Sequence, residues 1–350
     1  MFNYNDLKSL HLEITNRCQA SCPMCSRNYH GGQPNPRLRE TEWTLADFKN
    51  IVHPLLDTVK NIMFCGNFGD PLINADLHLM TDSIKHKDVF VDIHTNGSLR
   101  NTEWWSNLPK YLPRNHRVVF AIDGLQDTHA VYRVGTDFNK ILDNAKVFIR
   151  NGGIAEWSFI KFKHNEHQLY AAETLATTHG FKYFSVKDSS RFNFEKTFSV
   201  LNASGETTHQ LEPPKTNNVK YFDVSNLDTV AEIISNTDIS CYAKHKGELY
   251  IDAHRNVMPC CFLAAIPYDY YRSGDTLAAP KDHIRKQYLR LIADLGNTNA
   301  NQGVRTVLES VQFQQCWEKY WTINKLWTCA RTCGNTFNNP NDQVETYREL

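Results

Sequence analysis

The strongest constraint on the fold is a serial alternation of strand and helix signals between residues 8 and 187. Segments 10–14 (LHLEI), 61–65 (NIMFC), 89–95 (VFVDIHT), 117–123 (RVVFAID), 155–162 (AEWSFIKF) and 181–187 (FKYFSVK) read as strands. Helical spacing of apolar residues separates them at 44–56, 76–86, 101–108, 138–152 and 166–180, and the last two stretches end in glycine stop signals. Strands joined through helices cannot pair as tight hairpins. Six such units imply a parallel sheet with right-handed crossovers, two units short of a closed eight-fold barrel. The expected fold is α/β, a partial (β/α)6 TIM-like barrel. Chemistry on such a sheet belongs at the C-terminal ends of the strands.

Cys18, Cys22 and Cys25 fall immediately after the first strand, on that face. The chain has ten cysteines: these three, Cys65, and six between 241 and 333. No basic-then-apolar signal opens the chain, and no apolar run approaches the ~18–20 residues needed to span a bilayer. A cytoplasmic, reducing location is therefore expected, where clustered thiols point to metal sites rather than disulfides. Lys plus Arg (38) balance Asp plus Glu (38), so no general attraction to nucleic acid or an anionic membrane is expected. In Cys18-x3-Cys22-x2-Cys25 three thiols on one loop leave one position of a four-ligand site open. A zinc site completed by His30, or mere neighbours in sequence, are the alternatives.

The surroundings of this cluster resemble the radical S-adenosylmethionine superfamily. CGNFGDPL (65–72) follows strand two and is similar to that family's Gly-Gly-Glu-Pro segment. TNG (95–97) follows strand three, and AIDGLQDTHAVYRVGTDF (121–138) follows strand four, with an arginine placed as in the family. The resemblance covers about 180 residues and implies that Cys18, Cys22 and Cys25 hold three irons of a [4Fe–4S] cluster. S-adenosylmethionine would chelate the fourth iron. Gly66, Asn67, Gly69 and Asp70 would receive its ammonium through backbone carbonyls, and Arg133 would pair with its carboxylate. Asn96 and Asp123 would shape the ribose pocket, with turn formation as their alternative role. Met24 stands where an aromatic residue is usual and would pack on adenine. Asp70 replaces the usual glutamate and Ala121 a frequent serine. Cys65 reads as a buried apolar residue.

Residues 188–235 are polar and contain Pro-Pro, which reads as a linker or crossing segment. GELYIDAHRNVMPCC (247–261) then reads as a hairpin turning at 253–256, with Arg255 where a glycine is usual; helices are expected near 280–296 and 303–326. Cys241, the hairpin, Cys260 and the late pair Cys329-x3-Cys333 resemble the SPASM extensions of the superfamily, in the shorter form called twitch. This implies one auxiliary [4Fe–4S] cluster on Cys241, Cys260, Cys329 and Cys333. Cys316 is the competing ligand, Cys261 is too close to Cys260 to share a cluster, and structural zinc is the alternative content. The expected division is 1–190 barrel, 191–235 crossing segment and 236–350 small α+β iron–sulfur domain.

The resemblance implies a radical oxidoreductase or modifying enzyme with two [4Fe–4S] clusters. It would reductively cleave S-adenosylmethionine to a 5′-deoxyadenosyl radical and take hydrogen from a substrate, with net oxidation through the auxiliary cluster. A peptide or protein side chain is the favoured substrate; a small sugar, alcohol or nucleotide, dehydrogenated or cyclised, is the alternative. A ferredoxin or flavodoxin would supply electrons. Strand one starts by residue 10, so no fused leader-binding domain is expected. An iron–sulfur electron carrier without radical chemistry would not need Gly66, Gly69 and Arg133. Tyr29, His30, His94, Lys161, Lys187 and Arg191 lie where substrate contacts are expected, and none is singled out as acid or base.

Overall fold

The alternation takes physical form in β1 (Ser9–Leu12), where Leu10 and Leu12 are fully buried on one side and His11 turns to the other. A computed structural model of the chain describes residues 3–189, 192, 197–215, 227–272, 279–335 and 345–350. Five more parallel strands follow: β2 (Asn61–Phe64), β3 (Phe90–Thr95), β4 (His116–Ala121), β5 (Ala155–Lys161) and β6 (Tyr183–Asp188). The crossovers carry α1 (Leu45–Val52), α2 (Leu77–Asp82), α3 (Thr102–Asn107), the short α4 (His129–Tyr132), α5 (Phe138–Arg150) and α6 (Leu169–Thr178). Thr44 starts α1 with a capping box: its hydroxyl accepts from Asp47 N while the Asp47 carboxylate accepts from Thr44 N.

The strand residues facing these helices form one apolar core. It runs from Leu10, Leu12, Ile62 and Phe64 through Val91, Ile93, Val118 and Phe120 to Trp157, Phe159 and Phe184. Each such side chain contributes about 1.5–3 kcal/mol relative to exposure. Parallel strands buried on both faces usually read as unbroken apolar runs. These alternate because the opposite face is polar, with His11, Asp92, His94, Arg117, Glu156, Ser158, Ser185 and Lys187 at the intervening positions.

Residues beyond the barrel alter the sheet at both ends. The expected hairpin forms as β9 (Glu248–Ile251) and β10 (Val257–Met258), and β9 pairs in parallel with β1. At the other end β11 (Glu345–Glu349) pairs antiparallel with β6. The sheet therefore has nine strands in the order β10-β9-β1-β2-β3-β4-β5-β6-β11. The stretch read as a polar crossing segment contains a second, two-stranded sheet, β7 (Phe198–Leu201) and β8 (Thr207–Leu211), and helix α7 (Leu227–Asn236). Its polar residues conceal a strand in which only Phe198 and Val200 are buried.

Past α8 (Tyr242–Lys246), the C-terminal part adds α9 (Cys261–Arg272), α10 (Ala279–Leu295), α11 (Val304–Glu309), α12 (Val311–Thr322) and α13 (Trp327–Cys333). The helix expected over 303–326 is two helices. Ser310 is extended between them and caps α12 by accepting from Phe313 N. Arg255 adopts the left-handed backbone (φ 69°) of the β9–β10 turn and its guanidinium reaches Asp47 at 3.3 Å. That ion pair offsets only part of the conformational cost, about 1–2 kcal/mol, of a non-glycine residue there. Among the described residues no helix is long and apolar enough to cross a membrane.

Candidate functional site

The three early cysteines lie on the loop after β1. Cys25 N donates to Cys22 O at 2.9 Å, a turn that folds the loop back, and Asn28 Nδ2 donates to Cys22 O at 3.3 Å. A second apolar cluster supports the loop from below: Ala20, Cys22 and Met24 pack with Tyr132, Phe162, Phe192, Phe198, Val200 and Leu211. Met24 is fully buried there. The β7–β8 hairpin supplies much of this support. His30 stacks on Phe198 (4.3 Å between centroids), and its Nδ1 lies 2.7 Å from Ser199 O. That partner differs from the ligand role considered for His30. Burial, joined by mutual repulsion and partly offset by Arg133, pushes Cys22 above the usual thiol range; burial with Asp70 nearby does the same to Cys18. Thiols so placed become thiolates only beside a compensating positive charge, as a metal centre provides.

The loop after β2 meets this region through contacts that exclude a side chain. A Cβ on Gly69 would overlap the Thr15 carbonyl, and one on Gly66 would sit 2.6 Å from Glu13 Oε1. Gly69 thus packs backbone to backbone against the segment after β1, and Gly66 leaves room for the Glu13 side chain. Glu13 is the residue the sequence reading did not single out. It is 2% exposed; Oε1 accepts from Phe68 N (2.8 Å) and Gly69 N (3.1 Å), and Oε2 accepts from Tyr250 Oη (2.6 Å). Burial raises it to about 7 against these three donors. Asn67 Nδ2 donates to Cys261 O at 2.8 Å.

Asp70 is buried, and its carboxylate accepts from Leu72 N, Thr95 Oγ1 and Asn96 N at 2.8–3.0 Å. It braces the loop after β3 against the loop after β2. Asn96 exchanges hydrogen bonds with Gln19 beside Cys18, and its Nδ2 is 3.8 Å from Cys18 Sγ. Asp123 is fully buried; Oδ1 accepts from Ile160 N (2.6 Å) and Oδ2 from Arg133 Nε (2.5 Å). Burial opposes the Arg133 charge, but Asp123 and the nearby Cys22 more than offset it and hold the guanidinium protonated. Five loop segments therefore converge at the C-terminal ends of β1 to β4: 18–25, 66–70, 96, 123 and 133.

The later cysteines gather elsewhere. Cys241, Cys260, Cys329 and Cys333 line one small cavity with Ile239, Leu263 and Trp321. They arrive from the N-terminus of α8, the end of the β9–β10 hairpin and two successive turns of α13. Burial pushes Cys260 up to about 12, and burial plus the neighbouring thiols raises Cys329. Cys316 is apart from the cavity, 3% exposed on the core face of α12. The Cys261 thiol does not line the cavity and lies within electrostatic reach of Cys65. Among the described residues no three His, Cys, Asp or Glu side chains converge as closely as ligands of a single ion.

Below the first cysteine loop the inner face of the sheet carries a charge chain. Arg117 bonds Asp92 (2.5 and 3.0 Å) and Glu156 (2.6 Å), Glu156 accepts from Ser185 Oγ, and His94 Nε2 lies 3.1 Å from Asp92. Burial would raise Asp92, yet His94 and Arg117 hold it below the carboxylate range. Burial lowers His11 to about 4, so it is neutral, with Nε2 2.6 Å from Cys65 O. Lys161 pairs with Asp188 at 2.8 Å, and Lys187 lies within electrostatic reach of Cys65 and Asp123. Tyr29 is half-buried against His30, and Arg191 lies outside the described residues.

The family model for the Radical SAM superfamily matches residues 12–165. No curated protein matches the chain. Among solved structures, Streptococcus suis SuiB is similar at 13% identity and a TM-score of 0.52, covering 88% of this chain and 67% of SuiB. AnSMEcpe with bound AdoMet is similar at 14% identity and a TM-score of 0.50, covering 93% of this chain and 88% of that one. Against SuiB bound to S-adenosylmethionine the chain spans 61% of that protein's length, at 14% identity, a TM-score of 0.48 and 73% of this chain.

Proposed function

We propose that this chain, whose residues 12–165 match the Radical SAM superfamily model, is a radical enzyme with one auxiliary iron–sulfur cluster. The observation that carries the reading is the separation of seven cysteines into two sets. Three lie on one loop at the C-terminal face of the sheet, and four line one small cavity. Cys18, Cys22 and Cys25 would hold a [4Fe–4S] cluster, which together with S-adenosylmethionine would supply the radical chemistry that takes hydrogen from a substrate.

The chain's own residues bind, orient and exclude water. Carbonyls of Gly66, Asn67, Gly69 and Asp70 would receive the ammonium group. Arg133, held by Asp123, would present its remaining N–H groups to the carboxylate. Asn96 and Asp123 would border the ribose, and Met24 would stiffen the loop from beneath. Cys241, Cys260, Cys329 and Cys333 would hold a closed second cluster, which suits electron acceptance better than substrate binding.

We read the substrate as a peptide or protein side chain, oxidised overall, with a ferredoxin- or flavodoxin-type donor. A second reading, a small polar molecule such as a sugar or alcohol, is favoured by the ionisable inner face of His94, Asp92, Arg117, Glu156 and Lys187. The test is anaerobic reconstitution with iron and sulfide, then dithionite and S-adenosylmethionine, measuring 5′-deoxyadenosine. Product from the wild type and none from Cys25→Ala supports the reading. A chain that holds about eight irons and makes no product with any peptide or polyol offered would favour an electron carrier.

A further inference from the structure

Besides its thiols, the second cysteine cavity is lined by three side chains that carry donors, Thr328, Thr332 and Trp321, and the last two bear on its sulfur atoms. Thr332 lies on α13 three residues after Cys329 and one before Cys333, and is 3% exposed. A threonine inside a helix commonly returns its hydroxyl to the carbonyl four residues earlier. Here Oγ1 is buried and has no hydrogen-bond partner among the described residues. The Trp321 indole nitrogen is buried within reach of Cys329 Sγ, and the Lys244 ammonium lies 6.0 Å from the indole centroid. Ile239, Pro259, Phe262 and Leu263 supply the apolar part of the wall.

We propose that the Thr332 hydroxyl and the Trp321 N–H donate to sulfur at the auxiliary site and raise its reduction potential, making that site the electron acceptor. The inference rests on the auxiliary-cluster reading. Reduction adds one negative charge to a buried, sulfur-rich group. Apolar walls penalise that charge and pull the potential down. Fixed donors aimed at sulfur stabilise the reduced form more than the oxidised form and push it up. Lys244 over the indole face adds positive charge on the same side.

The experiment uses the full chain with Cys18→Ala, Cys22→Ala and Cys25→Ala, so that only the second site is loaded. After anaerobic reconstitution, iron content is measured and the site is titrated with mediators and followed by electron paramagnetic resonance. Thr332→Val keeps shape and removes the donor; Trp321→Phe removes the N–H. Each is expected to retain about four irons. At a fixed ambient potential each is expected to lower the reduced-to-oxidised ratio about tenfold, which is 59 mV for one electron. Thr332→Ser, which keeps the hydroxyl, is expected to stay at the parent value. Full iron with an unchanged midpoint in both variants would overturn the proposal. So would a Thr332→Val chain that loses its iron while Thr332→Ser keeps it, because the hydroxyl would then be needed for assembly. A parent chain that binds no iron would instead remove the auxiliary-cluster reading itself.

Discussion

Tyr250 Oη donates a 2.6 Å hydrogen bond to Glu13 Oε2 across 237 residues of sequence. The other Glu13 oxygen holds the amides of Phe68 and Gly69. One carboxylate thus joins the first strand's end, the glycine loop and the strand that leads to Cys260.

Tyr250→Phe leaves a buried carboxylate oxygen without its donor. The expected loss is about 1–3 kcal/mol, measured as a lower midpoint in urea. An unchanged midpoint would mean that the hydrogen bond contributes nothing net.

Glu13 also sets a pH dependence. Its folded value, raised to about 7 from 4.5 by burial, means that the folded chain holds a proton the unfolded chain has released. Its contribution is therefore fully present below about 4.5 and is lost as pH rises through about 7. Glu13→Gln, which keeps an acceptor for both amides, is expected to flatten the stability profile across that window. A wild-type profile of the same slope as the variant's would sink this assignment.

Gly69→Ala forces the loop away from the Thr15 carbonyl. The expected cost is about 1–3 kcal/mol or more, together with weaker S-adenosylmethionine binding by equilibrium dialysis. Gly152→Ala is the comparison, since nothing lies within 4 Å of its Cβ position; its strain comes only from a φ of 93°. Binding should be unaffected there.

Asp123→Asn strands the buried Arg133 charge. Removing one partner of such a pair costs about 3–5 kcal/mol, and the chain should unfold at markedly lower urea. Arg133→Lys in the otherwise unchanged chain is expected to destabilise as well, because a lysine lacks the Nε donor that reaches Asp123 Oδ2.

Iron content separates the auxiliary ligands from their neighbours. Cys329→Ala is expected to fall from about eight irons to about four, while Cys316→Ala and Cys261→Ala stay near eight. Iron lost from Cys316→Ala and retained in Cys329→Ala would redraw the ligand set.

The parallel order of β1 to β6 was legible because one face of each strand packs on helices and the other is polar, which produces the period-two pattern. The loops after β1 to β4 were legible because each carries residues with narrow backbone or ligand chemistry. The pairing of β9 with β1 was not, since a parallel partner 239 positions away (Ser9 with Glu248) leaves no local signal. The β7–β8 hairpin was missed for a different reason. Phe198, Val200 and Leu211 pack against Met24 and Cys22, so their burial depends on a loop elsewhere in the chain. The turn at Asn202–Gly205 was the available clue. Arg133 and Asp123 were each singled out, but separately; the sequence does not show that they bind each other. Glu13 sat unnoticed in a strand pattern because its three donors come from residues 68, 69 and 250.

The parallel pairing of β9 with β1 makes the C-terminal segment a guard for the barrel's flank. A chain ended after residue 235 would leave Ser9–Leu12 as an open edge, with free N–H and C=O groups beside the apolar Leu10 and Leu12. Such an edge is a template for strand-to-strand addition between molecules. The barrel half is therefore expected to precipitate rather than survive as a simpler enzyme, and its solubility is bound to the segment that carries the second set of thiols.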